Sequence, residues 1–119
     1  MQRLIDELRL LGPAGIERAS QAWRRAAEGE DRDRLAAERR EEDDPEWREA
    51  EAEIFQVAKG EAWQAVEPEV RESAIGAAQD ALLALLDREK LGGEHYRHLA
   101  GPLASALPWL VTGEAEDRY

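Results

Sequence analysis

No cysteine occurs in this chain of 119 residues, which removes disulfides, thiolate metal sites and cysteine nucleophiles together. Asparagine is missing too, and two lysines stand against fourteen arginines. The β-branched residues are scarce: four valines, four isoleucines and the single Thr112. Sheets draw on such residues to pack their pleated faces, so strands are not expected. No apolar run approaches the roughly 18 residues that span a membrane. The opening "MQRLIDELRLLG" carries acids on an amphipathic stripe, unlike the apolar stretch of a secretory signal. These absences lead to the expectation of a cytoplasmic, all-α protein without a membrane contact.

What is abundant points the same way. Alanine occurs 21 times, and leucine, glutamate and arginine are also frequent; these are the strongest helix formers. A chain of this length suits one domain with a core of useful size. Leu4, Ile5, Leu8 and Leu11 form one stripe that stops at Gly12. Pro13 then suits the first turn of a helix that sets Ile16, Ala19, Trp23 and Ala26 or Ala27 on one side, with Gly29 as a stop. Residues 1–29 thus read as a helical hairpin. Residues 30–44 have helix-forming side chains but little apolar face, and read as an acidic exposed helix or a linker.

The stretch "DDPEW" carries a helix start: Asp44 as cap, Pro45 in the first position and Glu46 at the positive end. A helix is predicted from there to Val66, burying Trp47, Ala50, Ile54, Val57, Ala58, Ala62 and Ala65, with Gly60 beside Trp63 marking a close approach to another helix. "VEPEV" repeats the signal at Pro68. The helix it opens buries Val70, Ala74, Ala77, Ala78, Ala81, Leu82, Leu85 and Leu86, and is predicted to end at Gly92. Two short helices follow, one over "GEHYRHLAG" and one from Pro102 to Pro108. The expected fold is a helical bundle of about five to six helices, centred on the antiparallel pair 45–66 and 68–90. It forms a single domain over 1–111, with 45–111 as the main unit and 112–119 as a polar tail that frays.

The net charge of −11 is unevenly placed. Residues 28–53 hold thirteen acids against five arginines, a local balance of −8. Such a surface repels nucleic-acid phosphate and anionic lipid, so direct binding to either is not expected. It attracts a partner protein with a basic surface, and Glu41, Glu42 and Asp43 are candidate contacts. The plainer reading of a charge run is a solvated helix face.

Candidate chemistry is thin. His95 and His98 are the only histidines, three apart in "GGEHYRHLAGP". Zinc takes three or four protein ligands, and no third is announced by spacing. His-Glu-x-x-His is absent, and the Glu-x-x-His pattern of di-iron bundles would need glutamate where Gly92 and His95 stand. A structural role is simpler: Glu94 and His98 suit the two ends of a helix dipole, while Tyr96 and Leu99 pack inward. Ser20, Ser73 and Ser105 have no histidine nearby in sequence, and "LLGPAG" lacks the lysine of a phosphate loop.

Two glutamate pairs remain, Glu46 with Glu49 and Glu69 with Glu72. Facing each other on neighbouring helices, they would offer the oxygen ligands that Mg²⁺ prefers. This pattern resembles the all-α nucleotide pyrophosphohydrolases of the MazG type, and the resemblance implies a magnesium-dependent nucleotide hydrolase. In that family a Glu-x-x-Glu is paired with a later Glu-x-x-Asp, whereas here Ile75 stands three residues after Glu72, and no basic phosphate-binding set is present. Acids near helix starts also complement the dipole without any ligand.

The expectation for function is therefore a small acidic accessory or regulatory protein that binds other proteins, as a monomer or a homodimer. One subclass of such proteins mimics DNA. The alternative is the carboxylate–magnesium hydrolase. No cofactor and no metal are expected. Trp23, Trp47, Trp63 and Trp109 are read as core or interface anchors. Trp109 and Leu110, placed in an extended piece after Pro108, are expected to pack on the domain body or on a second subunit.

Overall fold

The computed structural model describes residues 2–25, 37–38, 41, 44–88 and 93–111. Helices account for nearly all of them, and no strand occurs among the described residues. Six helices have defined bounds: α1 (Gln2–Leu10), α2 (Pro13–Arg25), α3 (Pro45–Val57), α4 (Glu61–Gln64), α5 (Pro68–Leu86) and α6 (Gly93–Ala104). Ala37, Glu38 and Glu41 are also helical and exposed. The rest of 30–43 lies outside the described residues, as do Ala26, Ala27, Gly29, Gly92 and the tail 112–119. The all-α bundle expected from composition is the fold observed.

Local signals set most of the boundaries. In α1 the expected stripe is buried completely: Leu4, Ile5 and Leu8 have no exposed surface. Each such side chain contributes about 1.5–3 kcal/mol on burial. At α3 the Asp44 carboxylate accepts the Glu46 backbone N–H at 3.0 Å and Pro45 opens the helix, as its start signal predicts. At α5, Glu67 is extended because Pro68 disfavours a helical residue before it, and Pro68 takes the first helical position.

The centre of the bundle is α5. It packs most extensively against α2 and α6, and less against α3. The expected face is buried at Ala74, Ala77, Ala78, Ala81 and Leu82, but Asp80, Leu83 and Ala84 are buried as well. A helix covered on several sides loses its polar stripe, which explains why one face was an incomplete description. The pair formed by α3 and α5 is thus one contact of a helix with larger partners. Similarly, α1 packs chiefly on α3 rather than on α2, the helix to which Leu11 and Gly12 join it.

Three boundaries differ from expectation. The helix from Pro45 ends at Val57, not Val66. Gly60 is extended (φ −68°, ψ 162°) and caps the short α4, and its N–H bonds the Val57 carbonyl at 2.9 Å. A β-carbon at Gly60 would sit 3.2 Å from that same carbonyl oxygen. The room glycine provides there serves a turn, not a neighbouring helix. The change of direction buries Trp63, whose indole N–H donates to the Leu8 carbonyl at 3.1 Å. That carbonyl lies in the last turn of α1, where intrahelical donors run out.

Second, α5 ends at Leu86, with Asp87 as its C-cap donating its N–H to the Leu83 carbonyl at 2.9 Å. Third, "GEHYRHLAG" and Pro102 belong to one helix, α6, which carries Pro102 in its last turn. Gly101 precedes the proline, and a glycine has no Cβ to clash with the proline ring, so the helical path survives to Ala104. Residues after Pro108 are turned, not extended: Leu110 and Val111 donate backbone N–H groups to Leu107 and Pro108 at 3.1 and 3.2 Å.

The close approach lies at Gly76 instead. A β-carbon there would meet Cε2 and Cζ2 of Trp23 at 2.8 Å. The Trp23 ring, from α2, lies against this gap and its Nε1–H donates to Asp80 Oδ2 at 2.9 Å, one turn further along α5. The neighbouring Arg24 donates from Nε to Ser73 Oγ at 3.0 Å, one turn earlier. Ser73, Gly76, Ala77 and Asp80 thus form a small-residue track that lets α2 approach.

Candidate functional site

Each candidate residue has a definite place. Glu46, Glu49, Glu69 and Glu72 are all exposed. Glu46 and Glu49 line an open recess of about 150 Å³ between α3 and the start of α1, shared with Gln2, Ala50 and Glu53. Glu69 and Glu72 sit near the start of α5 and are not part of that lining. No group of three or more metal-ligating side chains is found among the described residues.

The recess adds two residues that sequence reasoning did not single out. Glu53 follows Glu49 by four and Glu46 by seven, which is the spacing of one helical stripe. That signal was available and was hidden among the many acids of 28–53. Gln2 could not be placed from sequence, because it reaches the recess only through the docking of α1 on α3. Its amide Nε2–H donates to Asp6 Oδ1 at 2.8 Å, within its own helix. Glu46, Glu49 and Glu53 form no side-chain hydrogen bond or ion pair among the described residues. Three carboxylates along one stripe repel one another and attract cations. They accept hydrogen bonds and donate none, so the groups they suit best are guanidinium and ammonium.

His95 and His98 are exposed on α6, while Tyr96 and Leu99 beside them are buried, as the helix reading expected. The Tyr96 hydroxyl donates to the Leu110 carbonyl at 2.7 Å and ties the end of the chain to α6. Leu110 is 1% exposed and lies in the core. Trp109 is partly buried and packs against that core, with the Arg3 guanidinium 4.2 Å from its ring centroid. Its Nε1–H is buried and finds no acceptor among the described residues. Glu41 is exposed, and Glu42 and Asp43 lie outside the described residues.

Among the described residues, the large exposed apolar side chains are Leu10, at the end of α1, and Phe55, on α3. No described helix is long and apolar enough to cross a membrane. No family model, no curated protein and no solved structure matches this chain.

Proposed function

We propose that this chain is a small acidic helical module that binds a protein with a basic surface, and that the exposed side of α3 carrying Glu46, Glu49 and Glu53 is the docking face. The observation that carries this reading is the glutamate stripe itself: three exposed carboxylates in register, without ion pairs among the described residues, bordering an open recess. Charge of one sign on one face speeds encounter and selects partners of the opposite sign. In sequence, the acidic run 28–53, which includes Glu41, Glu42 and Asp43, carries further charge of the same sign. An accessory or regulatory role fits a module of this kind, either as a monomer or as a homodimer.

The exposure of Glu46, Glu49, Glu69 and Glu72, with the second pair outside the recess of the first, supports binding over magnesium chemistry. A hydrolase site would need the four carboxylates to converge on one ion. The test is capture from a lysate of the native source with the wild-type chain and with Glu46→Gln/Glu49→Gln/Glu53→Gln, followed by identification of what is bound. A basic protein retained by the wild type and lost by the triple variant is expected. Equal capture by both, or capture of acidic proteins alone, would overturn the assignment of this face. Magnesium-dependent nucleotide hydrolysis lost in Glu46→Gln would favour the enzyme.

A further inference from the structure

We draw no further inference here: the strongest candidate, the recess between α3 and the start of α1 bordered by Glu46, Glu49 and Glu53, belongs to the site already described, and no second observation points to a ligand for its carboxylates.

Discussion

Substituting Gly76 by alanine should destabilise the protein although alanine is the better helix former. Gly76 lies inside α5, where alanine gains up to about 1 kcal/mol in propensity. Against this, the new methyl would lie 2.8 Å from two atoms of the Trp23 ring. The ring is held by its 2.9 Å bond to Asp80 and cannot yield without losing it. Overpacking costs about 1–3 kcal/mol, and a lost hydrogen bond to a buried carboxylate costs about 1.5–3 kcal/mol. The net loss is about 2–4 kcal/mol, which lowers Tm by roughly 10 °C in a domain of this size. Urea denaturation followed by circular dichroism measures it. The decisive control is the same substitution in a Trp23→Ala background. With the ring gone the clash is gone, and Gly76→Ala should then stabilise by up to about 1 kcal/mol. A stabilising Gly76→Ala in the wild type, or equal destabilisation in both backgrounds, would refute the account of the α2–α5 contact.

The remaining predictions are simpler. Trp109→Phe keeps a smaller aromatic ring and removes the buried N–H that finds no acceptor among the described residues, so stability should be unchanged or higher by about 1 kcal/mol. Trp109→Ala should cost about 2–3 kcal/mol, less than full core truncation because the ring is only partly buried; size-exclusion chromatography at unchanged elution would place this anchor within one chain, and a shift to smaller size would place it between subunits. Tyr96→Phe should cost about 1–2 kcal/mol in denaturant melts, since the Leu110 carbonyl then loses its donor. A chelator should leave the thermal melt unchanged; a large fall in Tm would reveal a bound ion that stabilises the native state by mass action. Glu41→Gln/Glu42→Gln/Asp43→Gln should fold with no loss of stability, and loss of folding would show that these acids have a structural partner.

Features that depend on local periodicity were legible in the sequence. The α1 stripe from Leu4 to Leu8 and the α3 stripe from Trp47 to Val57 read correctly because 3.6-residue spacing alone fixes which side chains share a face. The cap at Asp44 and the start at Pro68 were legible for the same local reason. What depends on neighbours was not. Burial of Leu83, Ala84 and Asp80 follows from α5 having partners on several sides, which no single stripe encodes. Gly76 carries no signal of its own in the sequence, because its role comes from Trp23, more than fifty residues earlier, lying against it. Gly60 and Pro102 were recognised as special, but their roles were exchanged: the glycine breaks a helix that was expected to continue, and the proline rides within a helix it was expected to start. At the candidate site, Glu46 and Glu49 were legible as a pair, whereas the recess needs Gln2 from a helix whose docking is a tertiary event.

The central claim, that an acidic face on α3 receives a basic protein, is tested most directly by the salt dependence of partner affinity. Titration of the captured partner into wild type and into Glu46→Gln/Glu49→Gln/Glu53→Gln, from about 0.1 M to about 1 M salt, moves the screening length from about 10 Å to about 3 Å. The account predicts a wild-type Kd that weakens steeply with salt and a triple variant that is weaker at low salt, the two converging at high salt. Equal Kd values for the two chains at low salt, with no response to salt, would contradict it.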